Sequence, residues 1–202
     1  MRIITGEFRG RPLQSVKGEG YRPATGRVRE ALFSLLEARG LRWSDSAVLD
    51  LFAGSGSLAF EAASRGASSI CLVELAGQAV RCLAANAAKL GLAPPRCRII
   101  QADVLRLLGG RDKSALTQPQ GFDLVFIDPP YGKNLVPPVL RELVHKKRLA
   151  PRALIVAELE ATAALDPDAQ QELVCLDSRK YGQTRILIWQ TVQSSPGPET
   201  TP

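Results

Sequence analysis

The sequence has almost none of the residues from which metal sites and histidine-dependent catalytic sites are built. It contains one histidine, His145, and four cysteines without any C-x-x-C spacing. Because structural zinc sites and Ser-His-Asp catalysis both need clustered partners, we expect neither, and we expect no metal. We expect His145, in the basic run HKKR, to lie on the surface. The cysteines should be small core residues: Cys71, Cys82, Cys97 and Cys175.

Long apolar runs are also missing from the chain. No stretch approaches the roughly 18 apolar residues that a membrane span requires, and the N-terminal MRIITGEFRGR lacks the apolar core of a signal peptide. We therefore expect a cytoplasmic protein without membrane contact. The 202 residues, 45% hydrophobic and 23% charged, suit one globular domain with appendages, and we expect a monomer.

Positive charge is concentrated near the N-terminus. Residues 1–42 carry nine arginines and lysines against four glutamates, which accounts for +5 of the formal net charge of +6. Such a basic face indicates a polyanionic partner, although a merely solvated basic surface would give the same composition. Charge alone leaves both interpretations open.

The order of predicted elements indicates an α/β protein. We predict a hairpin at 2–16, a helix from Thr25 to Gly40, and then strands that alternate with helices. This alternation is typical of a Rossmann-like, mostly parallel, doubly wound sheet of seven strands, with the last two pairing antiparallel at one edge. The predicted strands span 47–52, 70–73, 97–100, 122–127, 153–157, 172–176 and 185–190, and the helices between them 57–65, 77–90 and 136–148.

Three segments follow from this pattern. Residues 1–42 form an N-terminal hairpin and helix, residues 43–192 form the α/β domain, and residues 193–202, rich in Ser, Pro and Thr, form a disordered tail. The polar stretch 109–121 is predicted to be a loop.

Four predicted strand ends carry an acidic residue: Asp50, Glu74, Asp103 and Asp128. They follow one another at intervals of 24, 29 and 25 positions, one βα unit each. Because open α/β sheets bind ligands at the carboxyl ends of their strands, four acids in succession favour a ligand site over surface decoration.

A glycine-rich turn follows the first predicted strand. Gly54 and Gly56 allow close approach of a ligand to the backbone, and the next helix N-terminus favours an anionic group. Glu74 is positioned for the two hydroxyls of a ribose. The stretch formally matches the dinucleotide fingerprint G-x-G-x-x-A, but Asp50 would repel a pyrophosphate and would suit an ammonium group.

The stretch FDLVFIDPPY, residues 122–131, combines a buried strand with a carboxylate, two prolines and an aromatic ring. Pro129 and Pro130 fix two φ angles, so the backbone after the strand is stiff. A simple Pro-Pro turn would also explain this stretch, with Asp128 as a turn residue. The motif has no role in hydride transfer, which counts against a dinucleotide enzyme.

These motifs together resemble a known family. VLDLFAGSGSL (48–58) and FDLVFIDPPY are similar to class I S-adenosylmethionine-dependent methyltransferases that act on exocyclic amino groups. RIITGEFRGRPL (2–13), RPATGRVREALF (22–33) and KYGQT (180–184) narrow the resemblance to the RsmD family, over roughly residues 1–190. The resemblance implies methylation of the N2 amino group of a guanine in 16S ribosomal RNA, and it favours the assembled 30S subunit over naked RNA. Ala24 and Gly26 depart from the usual family pattern RPTTDRVRE.

The resemblance also assigns residues. Asp50 and the glycine turn hold the methionine end of S-adenosylmethionine, Glu74 the ribose, and Asp103 the adenine amino group. In full, the implied cofactor residues are Asp50, Phe52, Ala53, Gly54, Gly56, Glu74, Ala102, Asp103 and Val104. The implied catalytic residues are Asp128, Pro129, Pro130 and Tyr131.

An exocyclic amine explains the Asp-Pro-Pro-Tyr motif chemically. The Asp128 carboxylate and the Pro129 carbonyl can accept the two N–H groups, which aims the nitrogen lone pair at the methyl sulfonium. Tyr131 can stack on the base. Residues expected to hold the surrounding RNA are Arg9, Arg11, Arg22, Arg27, Arg29, Lys180, Tyr181 and Arg185.

Three other functions remain open on sequence alone. A DNA adenine-N6 or cytosine-N4 methyltransferase shares the two motifs but usually has an added target-recognition domain. An NAD-dependent oxidoreductase would share the glycine turn. A non-catalytic RNA-binding module would use the basic N-terminus and leave the four acids without a role.

Overall fold

The computed structural model describes residues 1–16, 26–110, 116–163, 165 and 171–192. No helix in these ranges is long and apolar enough to cross a membrane. The described helices are α1 (Gly26–Ala38), α2 (Ser57–Ser64), α3 (Gly77–Leu90), α4 (Val104–Gly109) and α5 (Val136–His145). The strands are β1 (Ala47–Leu51), β2 (Ser69–Glu74), β3 (Cys97–Gln101), β4 (Phe122–Ile127), β5 (Leu149–Glu160), β6 (Leu173–Tyr181) and β7 (Thr184–Thr191).

The strands form one seven-stranded sheet in the order β3-β2-β1-β4-β5-β7-β6. Strands β1 to β5 pair in parallel, and β7 runs antiparallel to both of its neighbours. The predicted fold class is therefore confirmed. One detail differs: the antiparallel strand lies one position in from the edge, and the edge strand β6 runs in the same direction as β5.

Several elements differ from their predicted bounds. Helix α5 ends at His145 instead of residue 148. Strand β5 has 12 residues because it pairs with β7 as far as Glu160 and with β4 from Leu149. Strand β6 continues to Tyr181 on the exposed edge, where its polar residues give little hydrophobic signal. Helix α4 was not predicted, because six residues are too few to show helical periodicity.

Apolar side chains cover both faces of the sheet. Helices α1, α2 and α3 pack on one face and helices α4 and α5 on the other. All residues of β1 are buried, as expected for a central parallel strand. Cys71 and Cys97 are core residues as predicted, Cys82 and Cys175 are half-buried, and His145 is exposed.

The N-terminal segment shares the core of the sheet domain. Ile3, Phe8 and Leu13 are buried in the same cluster as Phe33 of α1 and Phe126 of β4. The two arms of the predicted hairpin meet in a bridge between Arg2 and Pro12 and share further backbone hydrogen bonds, but they form no regular strands, so most of the segment is a loop. The described part of residues 1–42 has no separate core. Residues 17–25, which include the predicted helix cap Thr25, and the predicted tail lie outside the described residues.

A buried carboxylate fastens this loop to the sheet domain. Glu61 of α2 is fully buried and accepts hydrogen bonds from the backbone N–H groups of Ile4 and Thr5, at 2.8 and 3.1 Å. Its carboxylate also pairs with Arg65 at 3.2 Å. Since buried polar groups are stable only when satisfied, these four groups depend on one another.

Removal of this carboxylate tests that dependence. We expect Glu61→Ala to lower the free energy of unfolding by about 3–5 kcal/mol, because it leaves two backbone N–H groups without their acceptor and removes the buried one of the two carboxylates that pair with Arg65. The matched control is Glu37→Ala, since Glu37 also contacts Arg65, at 2.8 Å, but is exposed; its cost should stay below about 1 kcal/mol. Urea unfolding measures both, and equal effects would contradict the anchoring role of Glu61.

Candidate active site

The turn after β1 has a backbone that few side chains tolerate. Phe52, Gly54 and Gly56 have φ values of 65°, 55° and 79°, in the left-handed region. A Cβ added to Gly56 would overlap the ring of Phe60 and approach Leu83 Cδ2 to 2.7 Å. The turn therefore stays narrow, and it brings backbone N–H groups at the start of α2 to the carboxyl edge of the sheet.

Asp50 is a buried carboxylate beneath this turn. It is 2% exposed, and its Oδ2 atom accepts a hydrogen bond from the Ala59 N–H in the first turn of α2, at 3.3 Å. Burial raises the pKa of Asp50 to about 7, and the negative charge of Glu74 adds to this effect. A buried acid with this environment fits a positively charged ligand group, which would replace the lost hydration.

The next two acids also bind backbone N–H groups. Glu74, the last residue of β2, accepts from Gly54 at 2.9 Å and from Ala76 at 2.8 Å. Asp103 follows β3 and caps α4 by accepting from the Arg106 N–H at 2.9 Å. The three predicted acids thus lie at the ends of three neighbouring strands and fix the loops around them.

The remaining predicted cofactor residues differ in exposure. Phe52 and Ala102 are half-buried, and Ala53 is buried beside the glycine turn. Val104 is 4% exposed and packs in the apolar core with Leu108. Only part of the predicted adenine surface is therefore open to a ligand.

Asp128 occupies the matching position after β4. Its backbone N–H approaches the Leu51 carbonyl of β1 at 3.4 Å, so the Asp-Pro-Pro-Tyr segment begins directly beside the end of β1. Pro129 is buried and Pro130 is exposed. Tyr131 is 45% exposed, and its hydroxyl lies 2.7 Å from Thr184 Oγ1 of β7, which holds the ring at the edge of the sheet.

A pocket opens where α1 crosses the ends of β4 and β5. Asp128 and Glu158 supply its carboxylates, and Arg29 of α1 lies in its wall. The remaining lining is mostly apolar: Val28, Leu32, Ser57, Leu58, Phe126, Ile127, Val156 and Ile186. The pocket thus combines a few polar and charged groups with a mostly apolar lining, a composition typical of small-molecule sites.

Glu158 was missed by the sequence analysis. It lies in β5, and its Oε1 atom accepts a hydrogen bond from the Tyr131 hydroxyl at 3.5 Å. It stands 30 positions after Asp128 and directly follows the predicted strand 153–157, as Asp128 follows the predicted strand 122–127, so the same pattern would have extended the series of acids to five.

The two pocket acids influence each other. Asp128 lines the pocket and keeps part of its surface exposed to solvent. This partial desolvation raises the pKa of Asp128 well above its ordinary value, and the charges of Glu158 and Asp50 raise it further. Desolvation also raises the pKa of Glu158. Such a shift is common where a carboxylate takes up a proton during a reaction.

The predicted RNA-binding residues differ in position and exposure, and one of them requires a correction. Arg29 is 4% exposed and donates to the Arg2 carbonyl at 3.0 Å, so it is a structural residue rather than an RNA contact. Arg27 faces solvent, as do Lys180 and Tyr181 at the end of β6. Tyr181 is the last residue of β6 and lies next to a tight turn.

The other predicted basic residues vary in their contacts. Arg9 and Arg11 are exposed, and the Arg11 guanidinium lies 5.4 Å from the Phe8 ring centroid. Arg185 is half-buried and donates to Ser178 Oγ at 3.1 Å. Arg22 lies outside the described residues.

The comparisons with known proteins agree with this geometry. The model of a family described as Conserved hypothetical protein 95 matches residues 1–190. The chain belongs to the RsmD family. Its predicted family is therefore confirmed.

Relatives in the RsmD family cover most of the chain. A ribosomal RNA small subunit methyltransferase D of Haemophilus influenzae is 40% identical over 163 residues, or 79% of each chain. The protein of the same name from Escherichia coli K12 is 34% identical over 165 residues, 82% of this chain and 77% of its own. A solved Escherichia coli structure described as a methyltransferase has a TM-score of 0.79 at 32% identity, over 95% of this chain and 97% of that one.

The raised pKa of Asp50 makes a prediction for the ligand-free protein. The unfolded state ionises this acid near pH 4 and the folded state only near pH 7, so folding becomes less favourable as the pH rises between these values. Asn keeps the acceptor for Ala59 without the charge. We therefore expect Asp50→Asn to gain stability relative to the native protein by up to about 4 kcal/mol between pH 4 and pH 8.

Urea unfolding of both proteins across this pH range measures the difference. Carboxyl NMR should also show one aspartate that titrates near pH 7 and disappears in Asp50→Asn. Stability curves that stay parallel would mean that the Asp50 charge is compensated within the protein.

Proposed function

We propose that the protein transfers a methyl group from S-adenosylmethionine to the exocyclic N2 amino group of a guanine in 16S ribosomal RNA, on the assembled small subunit in the cytoplasm. The observation that carries this proposal is the position of Asp128 and Pro129. They lie directly beside the end of β1 with Asp50 and the glycine turn, and Asp128 lines the pocket beneath α1. The names of the Haemophilus influenzae and Escherichia coli relatives support the ribosomal RNA substrate.

The cofactor side of the site suits S-adenosylmethionine. The Asp50 carboxylate would bind the ammonium group, and its poorly solvated position supports that role. Glu74 would hold the ribose hydroxyls with the lone pairs that Gly54 and Ala76 leave free, and Asp103 the adenine amino group. When bound, S-adenosylmethionine supplies a methyl group on a positively charged sulfur.

Asp128 and Pro129 would prepare the amine for the transfer. The lone pair of a base amine is delocalised into the ring, so it is a poor nucleophile until the geometry around nitrogen changes. With its two N–H groups bound to the carboxylate and to the proline carbonyl, the nitrogen presents its lone pair to the methyl carbon. The N–C bond then forms as the C–S bond breaks, and Asp128 receives the displaced proton.

The raised pKa of Asp128 supports its role as proton acceptor, because a more basic carboxylate has a greater affinity for the proton. Tyr131 would stack on the base while Thr184 fixes its hydroxyl. Most of the rate enhancement would come from positioning, for which effective molarity can supply about 7–11 kcal/mol.

The base has to leave any stack to enter the pocket. Basic residues and one tyrosine would hold the RNA backbone on either side of the base. The proposed RNA contacts are Arg9, Arg11, Arg22, Arg27, Lys180, Tyr181 and Arg185.

The deciding experiment is transfer of radiolabelled methyl groups to naked 16S rRNA and to 30S particles that lack the modification, followed by nucleoside identification. We expect label in N2-methylguanosine at a single position and higher activity on the particle. Label in N6-methyladenosine or N4-methylcytosine, or transfer to duplex DNA alone, would overturn the proposal.

Asp128→Asn tests the proposed amine acceptor. Since the amide side chain cannot take up the proton, we expect kcat to fall by about 10²–10⁴-fold. The Kd of S-adenosylhomocysteine, measured by calorimetry, should stay within about threefold of the native value, because the residues proposed to bind the cofactor do not include Asp128.

Asp123→Asn is the matched control. Asp123 lies at the opposite end of β4, where it accepts a hydrogen bond from the Ala47 N–H at 2.8 Å, and its replacement should leave turnover unchanged. Wild-type turnover in Asp128→Asn would remove Asp128 from the mechanism.

Charge reversal tests the proposed RNA surface. We expect Arg27→Glu and Lys180→Glu to weaken binding to the 30S particle and to reduce the slope of log K against log salt by about 1 for each phosphate that is no longer bound. Arg152→Glu, an exposed reversal at the opposite end of β5, should change neither quantity beyond the small effect of net charge. Equal salt slopes for all three variants would point to a different RNA surface.

A further inference from the structure

The side of the pocket that faces away from the cofactor site ends in Glu158. Strands β4 and β5 pair in parallel with Phe126 opposite Val156 and Ile127 opposite Ala157. Because side chains alternate between the faces of a sheet, Asp128 and Glu158 follow Phe126 and Val156 onto the same face. They are therefore neighbours across two strands, with Glu158 one strand farther from β1 than Asp128.

Glu158 has capacity for a further hydrogen-bond donor. Its Oε1 atom accepts one long hydrogen bond from Tyr131, at 3.5 Å. In the described ranges no ion pair involves Glu158 or Asp128. The Arg29 guanidinium in the pocket wall donates through Nη1 and Nη2 to Met1 Sδ and the Arg2 carbonyl, and its buried Nε has no partner among the described residues. Two adjacent carboxylates in one recess favour a ligand that presents two adjacent donors.

Guanine is the base that presents two adjacent hydrogen-bond donors. Its N2 amino group is next to N1–H. In adenine the amino group is next to the acceptors N1 and N7, and in cytosine it is next to the acceptor N3 and a C–H group. A carboxylate beside the reacting amine therefore attracts guanine and repels the two alternatives.

We propose that Glu158 accepts the N1–H of the target guanine and so selects guanine over adenine and cytosine. The proposal rests on the proposed function, since it concerns the base whose amine Asp128 binds. This contact would also fix the orientation of the base. In guanine the amine lies between N1 and N3, so N1 would point towards β5 and the acceptor N3 would point away from Glu158.

The test requires substrates that keep the N2 amine and change N1. After the methylated position has been mapped, 16S rRNA is joined from fragments with guanine or 2,6-diaminopurine at that position and assembled into 30S particles. Diaminopurine has the same N2 amine but an acceptor at N1. We expect the native enzyme to prefer guanine by about 10- to 100-fold in kcat/KM, the range of one well-placed polar contact to a base.

Glu158→Gln supplies the second part of the test. An amide can donate to the N1 acceptor of diaminopurine, so we expect the preference for guanine to fall to within about threefold. Diaminopurine also has an amine in place of O6. Because the native enzyme and Glu158→Gln both meet this change, its effect cancels when the guanine preference of one is divided by that of the other. The matched control is Glu160→Gln, on the same face of β5 and outside the pocket lining, which should keep the native preference.

The outcomes separate this inference from the proposed function. Absence of guanine methylation by the native enzyme would overturn the proposed function. Methylation of guanine with equal use of diaminopurine, or an unchanged preference in Glu158→Gln, would overturn only the role of Glu158. The native enzyme's preference is measurable without any variant, so misfolding of Glu158→Gln would leave that part of the test intact.

Discussion

The main constraint on this structure is a row of acidic side chains at one edge of its sheet. Five neighbouring strands, β3, β2, β1, β4 and β5, each bring one carboxyl group to their carboxyl ends: Asp103, Glu74, Asp50, Asp128 and Glu158. Repulsion and lost hydration make this arrangement unfavourable in the ligand-free protein, as the raised pKa values of Asp50 and Asp128 indicate. Such a cost is maintained in a fold when the groups serve a ligand.

The rest of the fold holds these acids in place. Backbone N–H groups of the loops bind Glu74 and Asp103, and two apolar cores fix the strands from both faces. The N-terminal loop contributes to the same arrangement: Asn86 of α3 donates to the carbonyls of both Gln14 and Ser55, so it connects that loop to the glycine turn. A segment whose sequence predicts an RNA-facing extension is therefore also part of the support of the cofactor site.

The sequence predicts the parts of this site that come from regular patterns. Buried parallel strands are continuous apolar runs, so β1 and β4 and the acids that end them could be located by inspection. The role of Arg29 could not. An arginine inside an amphipathic helix is normally exposed, and only the fold brings the Arg2 carbonyl within reach of it. Glu158 directly follows the predicted strand 153–157, so its place in the series of acids could be read from the sequence. Its position beside Asp128 in the pocket depends on the pairing of β4 with β5.

The position of Glu158 also explains why the Asp-Pro-Pro-Tyr motif alone leaves the base undetermined. In the proposed mechanism Asp128 and Pro129 bind two N–H groups, and every exocyclic amine has two. What differs among the bases is the atom beside the amine, and β5 is the strand that reaches that atom. An enzyme with the same motif that acted on adenine or cytosine would need a hydrogen-bond donor where this chain has a carboxylate, because their neighbouring ring nitrogen is an acceptor. Glu158 of β5 would then determine which base is accepted, and Asp128 and Pro129 after β4 would bind the reacting amine.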